Sequence, residues 1–238
     1  MTRIKNVTIF DLETTGIKVE ESQPIEFGAI LYSVEHNAVL SQVSALLSVK
    51  SNEAFEINKI DPNWTKNDED YGYCSCTSFQ LLAKFVESSD FMVAHHKEFD
   101  MSWNFANTLS RPWLCTYKDF LWPNISKPTN LVNLALNLGL PVFGAHRAMT
   151  DCGIIANIFS SFDKETLQKL FDVAVRRSLD PIVEIFAEVS YAEKDKAKSK
   201  GFTWNAASRV WSKKVRASEL QKETDGLDFS YYYNGDKA

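Results

Sequence analysis

Two carboxylates, Asp11 and Glu13, stand two residues apart at the end of the first predicted strand. Residues 7–10 before them are β-branched or aromatic, which is typical of a buried strand. Because side chains alternate along a strand, both carboxylates point to the same side of the sheet and repel each other unless a cation compensates them. A hard divalent cation bound through oxygen is the commonest compensation. An acidic strand end that runs into a Thr-Gly turn is the simpler alternative.

Two further acids lie where the pattern places them near a core. Asp100 follows a short apolar run at 90–94, and its alternative role is to cap the helix that begins there. Asp151 shares one helical stripe with three isoleucines at offsets of three, four and seven. A carboxylate on such a stripe binds a metal or pairs with a cation, for which Arg147 is the candidate.

His146 is the candidate proton acceptor of this set. It lies five residues before Asp151, on another face if the helix were continuous, so we predict that it belongs to the loop entering that helix. A purely structural histidine is the alternative, but imidazole also titrates near neutrality. Four acids and one histidine predict a site in which the acids hold two divalent ions and the histidine takes a proton from an attacking water.

The bulk composition describes an ordinary globular chain. Its 238 residues, 45% apolar and 13% aromatic, suit one full domain with a smaller appendage. No run of eighteen apolar residues occurs, so no membrane partner is expected. The four cysteines form no CxxC pair, which predicts reduced thiols and a cytoplasmic location.

Charge is distributed unevenly along the chain. Residues 194–216 contain eight basic residues and one acid, a net charge of +7, which leaves −12 for the rest. This asymmetry predicts a basic appendage on an acidic body. A highly charged, solvated face is the alternative.

The order of predicted elements is an antiparallel meander followed by alternating helices and strands. It predicts an α/β fold with a mixed five-stranded sheet flanked by helices. Pro181 disfavours helix at the preceding residue, so the linker is expected at 178–181. Strands are expected at 7–10 with the two carboxylates at its end, and at 24–32, 38–48, 90–94 and 113–116. Helices are expected at 77–88, 99–110, 129–138, 145–162 and 165–178.

At this point the chain resembles the DEDDh, or DnaQ-like, family of 3′–5′ exonucleases, over about residues 5–162. Residues 11–16 are similar to the first motif of the family, DxETTG; residues 94–100 to the second, AHNxxFD; and residues 146–151 to the third, HRAxxD. Further segments are similar to the exodeoxyribonuclease X branch: 114–116, 121–123 and 146–152.

The resemblance implies a ribonuclease H-like fold, a site for two Mg²⁺ with Mn²⁺ as an alternative, and release of nucleoside 5′-monophosphates. His146 is then the general base. The implied metal ligands are Asp11, Glu13, Asp100 and Asp151. The segment 53–60 is similar to a stretch that holds the terminal nucleotide in bacterial proofreading subunits. The residues expected to handle substrate are Leu12, Thr14, Thr15, Gly16, Glu53, Asn58, His96 and Phe99.

Two residues depart from the family pattern. His96 stands where the second motif usually has Asn, and Asn58 stands where relatives often have His. Neither position is a metal ligand in the family, so the departures concern substrate preference and rate rather than the basic chemistry.

Residues 1–178 are therefore predicted to be the exonuclease domain, 182–217 a small basic α+β module, and 218–238 a polar tail without an assigned role. The module resembles one of undetermined function that accompanies nucleic-acid enzymes. Basic residues around two tryptophans suit a groove that tracks phosphates and stacks bases, although both tryptophans could instead form the core of the module. The expected contacts are Lys198, Trp204, Arg209, Trp211 and Lys213.

Three functions follow from this pattern. The first is a metal-dependent 3′–5′ exonuclease whose partner is single-stranded or 3′-ended nucleic acid, with DNA favoured. The second is the same chemistry on RNA. The third is an inert scaffold that uses the fold to bind nucleic acid or a protein, which a missing acid or histidine would favour; none is missing.

Overall fold

The computed structural model describes residues 3–65, 77–103, 109–127, 129–206 and 208–233. The chain divides into two compact units, residues 1–178 and 179–238. Across the described ranges, no helix is long and apolar enough to cross a membrane. Cys74, Cys76 and part of the helix predicted at 99–110 fall outside these ranges.

A mixed five-stranded sheet forms the centre of the first unit, in the order β3-β2-β1-β4-β5. The first three strands are an antiparallel meander, whereas β4 and β5 run parallel to β1. The predicted α/β fold with a mixed five-stranded sheet is therefore confirmed. The strands are β1 Asn6–Thr14, β2 Pro24–Ser33, β3 Ala38–Leu46, β4 Phe91–Ala94 and β5 Trp113–Cys115.

Helices flank this sheet. The helix that carries Asp151 was expected from residue 145, but it begins only at Ala148, because His146 has a left-handed backbone with φ of 62° that no continuing helix allows. The helices are α1 Phe55–Asn58, α2 Thr77–Glu87, α3 Lys97–Ser102, α4 Leu131–Asn137, α5 Ala148–Ser160 and α6 Lys164–Leu179, with a 3₁₀ turn at Pro62–Thr65.

Each face of the sheet has its own hydrophobic core, and β1 contributes to both by alternation. Ile9 packs with Phe159 of α5 and Phe171 of α6, whereas Phe10 packs on the other face with Leu82 of α2. The next residues on the Ile9 side of the strand are Asp11 and Glu13. The two carboxylates therefore extend the face that α5 covers, as the strand alternation predicts.

The second unit is a four-stranded antiparallel sheet in the order β7-β8-β6-β9. Its core is formed by Ile185, Ala187, Ala197, Phe202 and Val215. The elements are β6 Ile182–Glu188, a 3₁₀ turn at Tyr191–Glu193, α7 Lys194–Ser199, β7 Thr203–Asn205, β8 Val210–Arg216, a 3₁₀ turn at Ala217–Glu219, α8 Leu220–Thr224 and β9 Ser230–Tyr233.

The stretch from residue 218, which was predicted to be a polar tail, is part of the folded second unit. It supplies α8 and then β9, which pairs with β6, and Phe229 and Tyr233 pack against the core of the unit. The reason is compositional: a four-residue strand rich in tyrosine lacks the apolar alternation by which strands are recognised.

Adding this stretch changes the charge of the unit. Residues 179–233 contain nine basic and nine acidic residues, so the folded unit is neutral rather than basic. Two acids after residue 217 form ion pairs with lysines of the unit. Lys213 pairs with Glu223, and Lys196 lies 3.9 Å from Asp228. A general phosphate-tracking surface on this unit is therefore not supported by its net charge.

Candidate active site

The four predicted acids lie on three elements that meet at one edge of the first sheet. Asp11 and Glu13 lie near the carboxyl end of β1, and α3, which follows the parallel strand β4, carries Asp100. Asp151 lies in the first turn of α5. Ligand atoms of Glu13, Asp151 and His146 lie within 4.8 Å of one another. This geometry brings residues more than 130 positions apart to one point.

The surroundings of the Asp11 and Asp100 carboxyl groups disfavour the charged form of each. Burial raises the pKa of Asp11 well above its usual value, and the neighbouring charges of Asp100 and Asp151 raise it further. Burial also raises the pKa of Asp100, although hydrogen bonds from main-chain groups, including that of Leu12, oppose this shift. Among the residues that the structure describes, the neighbouring charges that shift the pKa of these two acids are carboxylates, which repel their charged forms.

Glu13 and Asp151 show the same effect with smaller shifts. Burial, and then the charges of Asp151 and Glu26, raise the pKa of Glu13 to about 8. Burial raises the pKa of Asp151 to about 6, against a hydrogen bond from the main chain of His146 and the nearby imidazole. Four neighbouring acids with raised pKa values are candidate ligands for a cation.

The oxygen atoms of the site fit hard divalent cations. Oδ1 of Asp100 and Oδ1 of Asp151 are buried and have no hydrogen-bond partner among the residues that the structure describes. Buried carboxylate oxygens normally have a partner, so each is suited to metal coordination. An all-carboxylate donor set is the one that Mg²⁺ and Mn²⁺ prefer. Asp100 lies inside the first turn of α3, whose N-cap is His96, so its alternative role as a helix cap is wrong.

The loop that carries His146 is anchored to β2 through Arg147. The Arg147 guanidinium donates to both carboxylate oxygens of buried Glu26, with Nη2 2.7 Å and Nε 3.0 Å away. The main-chain N–H of Ala148 donates to the same carboxylate. The alternative in which Arg147 pairs with Asp151 is therefore wrong. His146 remains exposed beside the acids.

Gly28 is a second contact between β2 and the start of α5. A Cβ at this residue would lie 2.5 Å from the main-chain carbonyl carbon of Ala148 and 2.5 Å from the amide nitrogen of Met149. Cys152 of the same helix donates to the carbonyl oxygen of Gly28. The roles of Glu26 and Gly28 were not predicted. In the sequence they are marked only as an acid and a glycine two positions apart in a predicted strand.

Several residues predicted to contact substrate have side chains that are buried or form hydrogen bonds within the protein. Asn58 is 1% exposed and ties α1 to the site strand, because its Nδ2 donates to the carbonyl oxygen of Thr14. Leu12 is buried in a hydrophobic core, and Thr14 and Thr15 are also buried. The N–H of Thr15 donates to the carbonyl oxygen of Gln23. These four side chains therefore have structural roles within the fold, and their contact with substrate stays a prediction.

The other predicted substrate residues lie nearer the surface. Glu53 and His96 are exposed, and the His96 ring lies 4.3 Å from that of Tyr117. Gly16 and Phe99 are half-buried. A Cβ at Gly16 would lie 2.6 Å from Oγ of Ser22, a side-chain atom that can rotate away.

The predicted contacts of the second unit divide into two groups. Lys198 is exposed on α7, and Lys213 pairs with Glu223 and donates to the carbonyl oxygen of Lys200. Trp204, Arg209 and Trp211 line one pocket.

The mixed sheet, with acids gathered at the carboxyl ends of β1 and β4, defines a ribonuclease H-like fold. A family model described as Exonuclease (RNase_T) matches residues 8–159, just under two thirds of the chain. The chain therefore belongs to the exonuclease family, and its predicted place among the DEDDh, DnaQ-like members is confirmed. Residues 183–230 match a domain of unknown function (DUF8626).

Individual relatives are distant. The DNA polymerase III subunit epsilon of Treponema pallidum (strain Nichols) is 28% identical over 167 residues, which are 65% of this chain and 74% of that protein. The nuclease domain of 3′hExo, described as a DEDDh family member bound to rAMP, is 16% identical with a TM-score of 0.52, covering 70% of this chain and 96% of that one. Exonuclease X in complex with 5′ overhanging duplex DNA is 21% identical with a TM-score of 0.48, covering 71% and 99%.

Proposed function

We propose that this protein is a metal-dependent 3′–5′ exonuclease that acts on DNA, releases nucleoside 5′-monophosphates and works in the cytoplasm. The observation that carries the proposal is the convergence of Glu13, Asp151 and His146 within 4.8 Å at an edge that also receives Asp11 and Asp100. The preference for DNA is supported by the similarity to a DNA polymerase III subunit epsilon and by the segments similar to the exodeoxyribonuclease X branch.

The roles of the residues follow from their chemistry. Asp11, Glu13, Asp100 and Asp151 would hold two Mg²⁺ ions, which when bound supply charge neutralisation at the scissile phosphate and acidify an attacking water. His146, exposed beside the acids, takes the proton from that water. The water oxygen bonds to phosphorus as the bond from phosphorus to the O3′ of the preceding nucleotide breaks. The phosphate therefore leaves on the 5′ side of the released nucleotide.

A digestion series tests this proposal. Single-stranded DNA, duplex DNA and RNA, each labelled at the 5′ end, are incubated with Mg²⁺, with Mn²⁺ or with EDTA. We expect ladders that shorten from the 3′ end, nucleoside 5′-monophosphates as products, faster loss of DNA than of RNA, and no cleavage in EDTA. Internal cleavage, or activity that persists in EDTA, would contradict the proposal.

RNA is the second candidate substrate, because the fold of the chain is similar to that of a nuclease domain described as bound to rAMP. The same digestion series decides between the two. RNA that shortens faster than DNA of the same sequence would assign the chain to RNA trimming while leaving the chemistry unchanged.

His146→Ala is expected to lower the rate constant of hydrolysis by about 100- to 10,000-fold, because the attacking water loses its proton acceptor. Since His146 is exposed, added imidazole should enter the vacated space and restore part of the rate. Single-turnover hydrolysis with and without imidazole measures both effects. The matched control is His36→Gln, which changes an exposed histidine in the turn after β2 and should leave the rate unchanged. A loss of only a few-fold, without imidazole rescue, would exclude His146 as the base.

A further inference from the structure

One end of the second sheet carries a surface pocket of about 420 Å³. Its aromatic wall is formed by Trp204 of β7, Trp211 of β8 and Tyr232 of β9. Arg209 and Glu188 supply its charged groups. The volume lies within the range of about 300–1,000 Å³ that is usual for small-molecule sites. All lining residues belong to the second unit, so the pocket is complete without the nuclease unit.

The two tryptophans differ in what they do for the fold. They face each other across β7 and β8, with ring centroids 5.8 Å apart and planes tilted by 58°, so neither ring stacks flat on the other. Trp211 packs against the core of the unit, whereas Trp204 is 51% exposed. The hypothesis that both tryptophans are core residues is therefore wrong for Trp204. An anchored indole with an open face is the arrangement on which planar bases stack.

The charged groups of the pocket suit a nucleotide rather than a general polyanion. Arg209 occupies a left-handed backbone conformation with φ of 54° in the hairpin, uncommon for a residue with a Cβ, beside Trp204 and Trp211. A guanidinium pairs well with one phosphate. Glu188 disfavours phosphate but accepts hydrogen bonds from the amino groups of bases. Because the unit as a whole carries no net charge, a general attraction for a polyanion is not expected, and binding depends on local contacts such as Arg209.

We propose that this pocket binds one unpaired nucleotide of single-stranded nucleic acid, with the base on Trp204 and its phosphate at Arg209. The choice of nucleic acid over another aromatic anion rests on the proposed function of the nuclease unit. Because the two units share one chain, a strand captured in the pocket is held at a raised local concentration for the nuclease unit.

The test measures binding apart from hydrolysis. Full-length Asp11→Asn protein in EDTA is titrated into short fluorescein-labelled single strands of DNA and of RNA, and anisotropy is recorded. Trp204→Ala should weaken binding by about tenfold to a hundredfold, since stacking is worth about 1–3 kcal/mol for each base, whereas Trp204→Phe should keep most of the affinity. The matched control is Tyr191→Ala, an aromatic residue of the same unit that is 83% exposed and lies outside the pocket.

Salt dependence tests the phosphate contact separately. Arg209→Gln should reduce the slope of log K against log salt concentration by about 0.7, the value for one phosphate on a single strand. Near-ultraviolet circular dichroism and thermal melting show whether each variant keeps its fold. The proposal is overturned if folded Trp204→Ala binds both strands as tightly as Tyr191→Ala, and such a result would redirect the pocket to a protein ligand.

Failure of this proposal is distinguishable from failure of the proposed function. Binding in EDTA that depends on Trp204, in a chain that digests no substrate, would leave the pocket assigned and refute the nuclease proposal. Digestion of substrate together with binding that does not depend on Trp204 would support the nuclease proposal and refute the pocket proposal. A loss for DNA but not RNA, or the opposite, identifies which strand the pocket takes.

Discussion

Asp11→Asn is expected to lower hydrolysis by about 1,000-fold and, in the absence of divalent metal, to make the fold more stable. The loss follows because metal coordination at the scissile phosphate is worth several kcal/mol. The gain follows because burial, Asp100 and Asp151 all disfavour a charge at this position. An amide of the same shape removes that charge, and we expect the free energy of unfolding in EDTA to rise by about 1–2 kcal/mol.

The same reasoning predicts how the stability of the metal-free protein depends on pH. The pKa values of Glu13 and Asp151 are raised to about 8 and about 6 in the folded chain, above their values in the unfolded chain. Between the unfolded and folded values the native state holds more protons, so the free energy of unfolding falls as pH rises through this window. Asp11→Asn should reduce this fall, because the pKa of Asp11 is itself raised and the variant no longer has this titrating group.

Urea unfolding in EDTA at about pH 5.5 and about pH 8, followed by circular dichroism, measures both effects. Added Mg²⁺ should stabilise the parent protein more than the variant. Glu20→Gln is the matched control, because it neutralises an exposed acid of the same unit and should change neither stability nor hydrolysis. A variant that is less stable than the parent in EDTA would show that Asp11 is compensated within the chain.

Gly28→Ala is expected to lower hydrolysis by at least about 100-fold, although Gly28 supplies no group to the chemistry. Its new Cβ would meet the main chain of Ala148 and Met149 at 2.5 Å, and a main chain cannot turn aside as a flexible side chain can. The start of α5 must therefore shift, and with it Asp151. Misplacement of a reacting group by about 1 Å is enough for a loss of this size. Overpacking of this kind also costs about 1–3 kcal/mol of stability.

The matched control is Gly153→Ala on the same helix. Apart from its chain neighbours and the nearby backbone of its own helix, no described atom lies within 4 Å of a Cβ placed there. The substitution should therefore stabilise the helix by about 0.5–1 kcal/mol and leave hydrolysis intact. Steady-state kinetics and thermal melting of both variants check the prediction. Equal activity in the two would show that the approach of α5 to β2 does not set the geometry of the site.

Residue patterns predicted the strands and helices that are determined by residues close together in the sequence. The alternation around Asp11 and the apolar stripe that follows Asp151 specified a strand and a helix, and the resemblance to known motifs placed both at one site. The close approach of Gly28 to Ala148 was not predictable, because it depends on how closely two elements 120 residues apart pack.

The burial of Asn58 and the net charge of the folded second unit were also not predictable from the sequence. The role of Asn58 depends on three partners, among them Asn52 and the carbonyl oxygen of Thr14, which only the fold brings together. The neutral charge of the second unit depends on pairing β9 with β6, a contact between residues about 45 positions apart. Neither feature can be inferred from a segment considered apart from its spatial neighbours.

The left-handed backbone at His146 separates the site into two parts with different resistance to local opening. Asp11 and Glu13 lie on the central strand, and Asp151 lies on a helix whose apolar face is buried, so exposing them requires nearly global unfolding. His146 lies in an exposed loop, where local fluctuations cost far less. We therefore expect hydrogen exchange to be slow around the acids and fast at His146, and we expect the His146 loop to become disordered on heating before the carboxylates separate.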